Sequence, residues 1–435
     1  MDMLIYIGGA ILFFALIMAS IALHEVGHMV PAKLFGVKVT EYFVGFGKTL
    51  WSFKRGETSY GIKAIPLGGY VKLIGMYPPE KKTGKVRNSG TSANPLASLI
   101  DAGREAEWAD IDPADDGRFF YQKKTWQKLI VMIGGPLMNL ILAFVILWGV
   151  FAIHGINQPQ PVVGSVSQCI IPADRPDQRT CQPGDPQTPA AAAGLQAGDR
   201  IVSFNGIQVG DWQQLQDLIR DNRDQTAAIV VERAGQQVPL TPVNTVINGV
   251  QSDWDPSKKV EAGFLGFVPQ QQMVRGGPGM VVDQMVDMTK TSAVVLAQFP
   301  IKVWNTAIDM VTGQPRDVYG PMSIVGASRA AGEISATDQL TAGDKVATFF
   351  ALLGNVNLFV AIFNFIPLLP LDGGHILGAI IEGIRRGAAK LFKRPDPGHL
   401  DTAKMLPVAY AVFAFIALSG AVLILADIFN PLKLF

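Results

Sequence analysis

Charged side chains are scarce in this chain. They make up 17% of its 435 residues, against roughly 25% in soluble domains. The charge that exists nearly cancels, with 37 Lys and Arg against 36 Asp and Glu. A net charge of +1 offers no electrostatic case for nucleic acid as a partner. Cysteine is almost missing. Cys169 and Cys181 alone exclude a disulfide-built scaffold and a four-thiolate zinc site. Apolar residues are abundant instead, at 49%. They gather in four runs, residues 3–29, 129–153, 346–371 and 406–429, each long enough for the about 20 helical residues that cross a bilayer.

The first run, "MLIYIGGAILFFALIMASIAL", admits a second reading as a signal peptide, because "SIA" resembles a small-residue cleavage site. Against that stand the missing basic leader and the cluster His24, Glu25 and His28 at its end. Basic residues set the expected orientation. Arg385, Arg386, Lys390, Lys393, Arg394 and Lys404 crowd the connection between runs three and four. The segment 33–124 is also rich in Lys and Arg, whereas residues 155–345 carry fewer. Both termini and the 155–345 region are therefore expected outside. Runs one and three then cross in the same direction, and their C-terminal ends meet near the cytoplasmic face.

Between the runs, residues 31–76 contain Gly-punctuated aromatic and β-branched stretches that predict short strands and hairpins. Residues 77–118 turn polar and are expected to be a mobile insertion without a core. The second span occupies 119–154, and residues 155–272 form a separate domain. There "FNGIQV" reads as an Asn-Gly turn between strands, "DWQQLQDLIRDN" as a helix capped by Asp211, and "AAIVVERAGQQVPL" as a hairpin. Residues 280–312, within 273–345, have mixed helical spacing that fits a helix on the membrane surface or an amphipathic helix of the adjacent domain. The third span with its "LDGG" covers 346–375, a basic loop 376–405, and the fourth span 406–435.

His24 and His28 stand four apart, so on a helix they lie about 40° from each other on one face. Two imidazoles placed so can share a metal ion, with Glu25 beside them to take a proton from water. This is the H-E-x-x-H pattern of zinc hydrolases. On a soluble helix the same letters are often surface or capping histidines. At the end of a membrane span ionisable groups are costly and mark function. A catalytic zinc takes three protein ligands and keeps one position open. His154 sits at the outer end of run two, and His399 lies in the basic loop. Asp372, in "NFIPLLPLDGGHI", is level with the histidines. A carboxylate in so apolar a setting needs a partner, which a cation supplies. The simpler reading of Asp372 is a helix cap. His375, one turn on, is expected to support the site or lie in the loop.

"HEVGH", "GGPLMN" in run two and "NFIPLLPLDGG" in run three together resemble the site-2 protease family of intramembrane zinc metalloproteases, with matching span count and motif order along nearly the whole chain. The likeness is nearest to bacterial proteases of the regulator-of-sigma-E type, in their actinobacterial branch with a single PDZ domain. The resemblance implies a polytopic α-helical membrane protein of four transmembrane helices, with a membrane-associated β-hairpin region and one extracytoplasmic PDZ-like α+β domain. It implies one catalytic Zn2+ on His24, His28 and Asp372, with Glu25 as base. Asn364 and Pro367 fall on its N-x-x-P-x-x-x-x-D pattern. Asn364 would hold substrate backbone near the metal or stabilise the oxyanion; a helix–helix hydrogen bond is an equal reading. The segment 58–73, with Gly68, Gly69 and Tyr70, resembles the family's re-entrant hairpin, which would add a strand to an unwound substrate. Asn139 reads as structural, and Gly134, Gly135 and Pro136 are expected to break or loosen span two.

In the PDZ-like domain, "PVVGSV" (161–166) and "GFLGF" (263–267) are alternative groove segments. The domain would bind or screen a substrate's ectodomain or C-terminus. Cys169 and Cys181, both assigned outside, are expected to form a disulfide in an oxidising compartment. The function so implied is cleavage of single-span membrane proteins within a bacterial cell membrane: anti-sigma factors already trimmed outside, or signal-peptide remnants. The competing reading is a membrane-anchored PDZ scaffold with a structural or vestigial metal site. The Gly-rich segment before Gly75 is expected to gate water entry. A cysteine pair bridging that segment and the bundle should then suppress turnover, and undiminished turnover would refute the gate.

Overall fold

The computed structural model describes residues 2–79, 95–108, 112–171, 180–252 and 258–432. The chain forms two compact units: Met1–Gly149 with Val282–Phe435, and Val150–Val281. Among the described residues four helices are long and apolar enough to cross a membrane, Met3–Leu34, Thr125–Ile153, Ala342–Asn364 and Thr402–Phe429.

Helix α1 (Asp2–Leu34) has 33 residues, about 50 Å at 1.5 Å per residue. It is therefore longer than the roughly 30 Å hydrocarbon layer of a bilayer. Strands β1 (Val39–Arg55) and β2 (Thr58–Leu73) follow and fold into more than a plain hairpin. Residues 39–44 pair with 69–73 on one side, residues 41–44 with 59–62 on the other, and 51–55 with 58–62. The segment ending at Leu73 is thus a rim of this small sheet. The Tyr42 hydroxyl donates to the Ala22 carbonyl at 2.8 Å and moors the sheet to α1.

Helix α2 (Pro95–Trp108) falls inside the stretch expected to be a mobile insertion; residues 80–94 and 109–111 of that stretch lie outside the described residues. The helix is packed, because its polar groups have fixed partners. Arg104 holds both oxygens of Asp401 at 2.5 and 2.6 Å. Glu107 accepts the Met76 N–H at 3.0 Å, and the Trp108 indole donates to the Tyr77 carbonyl at 3.1 Å. Helix α3 (Thr125–Ile153) runs unbroken through Gly134, Gly135 and Pro136, contrary to the expected break. The glycines there serve close packing. A Cβ on Gly27 would stand 2.2 Å from the Gly134 carbonyl oxygen, and one on Gly134 2.0 Å from that of Gly27. Pro31, four residues after Gly27, has no N–H to give that carbonyl.

The second unit runs β3 (Ile156–Val166), α4 (Pro189–Ala193), β4 (Arg200–Phe204), β5 (Ile207–Gln208), α5 (Trp212–Asp221), β6 (Thr226–Ala227), β7 (Ile229–Arg233), β8 (Gln236–Pro239), β9 (Val243–Asn244), β10 (Val246–Gln251), β11 (Lys259–Phe264) and β12 (Phe267–Val274). Its main sheet has the order β12-β3-β4-β7-β8, with β5 on β4. Asn205 and Gly206 both take positive φ between β4 and β5, as a two-residue hairpin turn requires. Asp211 caps α5 by accepting the Gln214 N–H at 2.8 Å. Val163, Ile201, Phe204, Leu215, Ile229 and Val231 form the buried core. Cys169 and Cys181 are joined as a disulfide, as expected.

Helices α6 (Pro278–Ala297) and α7 (Phe299–Thr312) divide the single helix expected over 280–312. Pro300 at the start of α7 cannot donate into a continuing ladder. Helices α8 (Ile324–Ala336), α9 (Ala342–Asn364), α10 (Asp372–Leu391) and α11 (Leu406–Phe429) complete the chain. Phe13 and Ile17 of α1 pack with Ala331 and Ile334 of α8 and Phe349 and Leu353 of α9. The third span ends at Asn364 rather than at 371, since Pro367 and Pro370 stop the helix. Residues 376–391, expected to be a loop, belong to α10.

Arg316 and Asp427 form an ion pair of 2.5 Å with side chains 1% and 2% exposed, and Asp427 also accepts the Ser323 N–H at 2.7 Å. Removing one partner strands the other as a buried charge. Asp427→Ala should therefore lose about 3–5 kcal/mol, read as a lowered unfolding midpoint in detergent. A loss below about 1 kcal/mol, the level of an exposed pair, would contradict the burial.

Candidate active site

The turn between α9 and α10 carries Asp372 to the histidines. Gly373 and Gly374 let the first turn of α10 press against residues 365–369. A Cβ on Gly373 would stand 2.2 Å from the Ile366 carbonyl oxygen, and one on Gly374 2.5 Å from the Leu369 nitrogen. This explains the "DGG" and makes Asp372 the opening residue of a new helix rather than the end of the span. At its far side, α10 is fastened by Glu382, whose oxygens take the Lys128 ammonium at 2.9 and 3.0 Å and the Leu400 N–H at 2.9 Å.

Burial alone would raise the Glu382 carboxyl; bonds from His399, Leu400 and Lys128 reverse this and hold it down at about 2, from an ordinary 4.5. A depressed folded value stabilises fully above the unfolded pKa and is lost as pH falls through the folded one. The unfolding midpoint should thus fall more steeply between pH 4.5 and pH 3 than it does in Glu382→Gln. Equal slopes would contradict the arrangement.

His24 and His28 are 8% and 5% exposed. Their Nε2 atoms lie 3.2 Å apart, and each lies 3.3 Å from Asp372 Oδ2. Four-coordinate zinc with bonds of about 2.0–2.1 Å separates its ligand atoms by about 3.3 Å at tetrahedral angles. The triangle therefore fits the ion. The chemistry of the donors agrees. His28 Nδ1 lies 2.8 Å from the Val131 carbonyl, which can only accept, so Nδ1 carries a proton and Nε2 is the nitrogen left to face an ion. Lone pairs and a carboxylate oxygen converging at this distance repel unless a cation lies among them. Burial pushes the His375 imidazole down to about 4, with Asp372 pulling the other way, so it is neutral.

The three residues open on a cavity of about 420 Å³ that is also lined by Glu25, Gly68, Gly69, Tyr70, Asn139 and Asn364. The rim of the β-sheet forms one wall. A Cβ on Gly69 would stand 3.3 Å from Glu25 Cγ, so the strand backbone passes next to that carboxylate. Tyr70 is held by its hydroxyl, which donates to Glu41 at 2.5 Å. Of the sequence-derived candidates, Pro367 alone among those near the site stays out: it is exposed in the turn and does not line the cavity, whereas Pro370 does. Cys169 and Cys181 belong to the other unit. Met76, Met132 and Val360 are among the other lining residues; as ordinary apolar residues they carry no sequence signal. Asn139 had one, its place in "GGPLMN", but was expected to be structural.

A H-E-x-x-H pattern on a helix long enough to span a bilayer, with an aspartate oxygen 3.3 Å from both histidines, is the arrangement expected of a membrane metallopeptidase. The Peptidase family M50 model matches residues 12–394. The zinc metalloprotease Rip1 of Mycobacterium tuberculosis is 31% identical over 99% of this chain and 100% of its own length, and Rip1 of Mycolicibacterium smegmatis 32% identical over 98% of each. The regulator of sigma-W protease RasP of Bacillus subtilis is 25% identical over 87% of this chain and 91% of its own. The chain belongs to peptidase family M50, the site-2 protease family, and is a zinc metalloprotease. The reading as a scaffold with a vestigial metal falls with that membership.

Proposed function

We propose that this protein cuts single-span membrane proteins within their apolar segments, using one zinc ion held by His24, His28 and Asp372. The observation that carries the reading is the triangle of ligand atoms 3.2–3.3 Å on a side, buried beside Glu25. When bound, zinc supplies a Lewis acid that acidifies water and polarises the scissile carbonyl. Glu25 takes the proton of the attacking water and gives it to the leaving amide nitrogen. Asn364, which lines the same cavity, orients the substrate backbone. A transmembrane helix hides its peptide groups in its own hydrogen bonds, and the rim at Gly68, Gly69 and Tyr70 offers replacement bonds to an unwound segment.

The substrates on this reading are anti-sigma factors already trimmed outside, or signal-peptide remnants; the relative named for sigma-W regulation supports the first. The site lies near the cytoplasmic face of a bacterial cell membrane, with the termini and unit Val150–Val281 outside. The distribution of Lys and Arg supports this, and so does the Cys169–Cys181 disulfide, since such bonds persist in oxidising compartments. The outer unit acts as a PDZ-like module that screens substrate ectodomains.

Purified protein incubated with a panel of single-span substrates tests the reading. Cleavage should map inside the apolar segment, stop when a chelator removes zinc and return when zinc is restored. Cleavage indifferent to the chelator, or confined to extramembrane sequence, would overturn it.

A further inference from the structure

Asn139 on α3 is 2% exposed, and its side-chain nitrogen, as placed, lies 3.2 Å from His24 Nδ1. Its side-chain oxygen Oδ1 is buried and has no hydrogen-bond partner among the described residues. The two facts point to one cause. His24 turns Nε2 towards His28 and Asp372, so in the metal-bound form that nitrogen gives its lone pair and Nδ1 carries the ring proton. An N–H facing the NH2 of a carboxamide sets donor against donor. Oxygen and nitrogen of an amide are exchanged by a half-turn, and the hydrogen-bond network decides between them. The half-turn brings Oδ1 to the Nδ1–H of His24 and ends its isolation, while the NH2 moves to the place Oδ1 held.

We propose that Asn139 is a positioning residue of the zinc centre: its side-chain oxygen accepts the Nδ1–H of His24 and fixes that ring with Nε2 on the ion. The inference rests on the zinc site of the proposed function. It gives the two histidines matched supports, both from α3, the Val131 carbonyl for His28 and the Asn139 carboxamide for His24. Supports of this kind hold the tautomer and ring orientation, and their loss typically weakens metal binding by 10–100-fold.

Zinc affinity, measured by chelator competition on the full-length protein in detergent, tests it, together with the visible absorption of the cobalt-substituted forms. Asn139→Leu should bind zinc about 10–100-fold more weakly and show an altered cobalt spectrum. Asn139→Asp keeps an acceptor and should bind at least as tightly as the native protein, with a native-like spectrum. If Asn139→Asp instead loses ten-fold or more, the side chain acts as a donor and the proposal is overturned, whether or not Asn139→Leu folds. Asp372→Ala separates this from failure of the site itself. If that variant loses zinc while Asn139→Leu binds normally, only the positioning role falls; if it keeps zinc at native affinity, the ligand set falls.

Discussion

Glu25→Gln should leave zinc bound and the fold intact while slowing cleavage by about 10²–10⁴-fold, the range for loss of a general acid–base. Glutamine fills the same space on the cavity wall and keeps a polar end, so the packing of Glu25 against Gly69 is preserved. It cannot accept the proton of the attacking water. The metal should stay because His24, His28 and Asp372 are untouched, and Glu25 is not part of the group whose ligand atoms converge. Cleavage of one membrane substrate is followed by gel, with zinc per chain measured on the same preparation. Metal retained with cutting gone separates base from ligands. Cutting within a factor of about two of native, far inside the range for a general base, would remove Glu25 from the chemistry.

Gly135→Ala should empty the centre without touching any ligand. A Cβ on Gly135 would stand 2.1 Å from His28 Nε2, with the ring carbons at 2.6 and 2.7 Å. The ring cannot swing aside cheaply, because His28 Nδ1 is tied to the Val131 carbonyl of the same helix. Parting the helices would forfeit the close packing of Gly27 on Gly134 one residue away. Zinc affinity should fall by at least the ~100-fold upper end for lost metal-supporting contacts, with a packing cost of about 1–3 kcal/mol. Gly149→Ala is the control. It lies on the same helix with nothing within 4 Å of the added carbon and should leave both properties unchanged. Native zinc affinity in Gly135→Ala would contradict the site geometry.

The histidine pair of the candidate site was legible because its spacing is local. Two histidines four apart on a helix must share a face, and their place at the end of an apolar run marks them. Asp372 was legible through the expected topology, in which parallel spans bring their ends to one depth. The way it arrives was not. The run "FIPLLPL" is as apolar as the span before it, so hydropathy carries the helix onward, while Pro367 and Pro370 end it. The charges of "EGIRRGAAK" suggested a loop, though their alternation with "AII" suits the amphipathic α10. Helix α2 was hidden by the polar sequence around it; what fixes it are partners distant in the chain, Asp401 and Met76. Asn139 shows the limit most plainly. A buried carboxamide next to a glycine pair reads as packing, and only the distance to His24 gives it a chemical task.

The central claim is a metal ion bound at once by two imidazoles of α1 and the carboxylate that opens α10. X-ray absorption at the zinc edge of the purified protein measures this directly. The account predicts one zinc per chain, with nitrogen and oxygen neighbours at about 2.0–2.1 Å and the outer-shell scattering of two imidazole rings, falling to one ring in His28→Ala. A first shell containing sulfur, or two-ring scattering that survives His28→Ala, would contradict it.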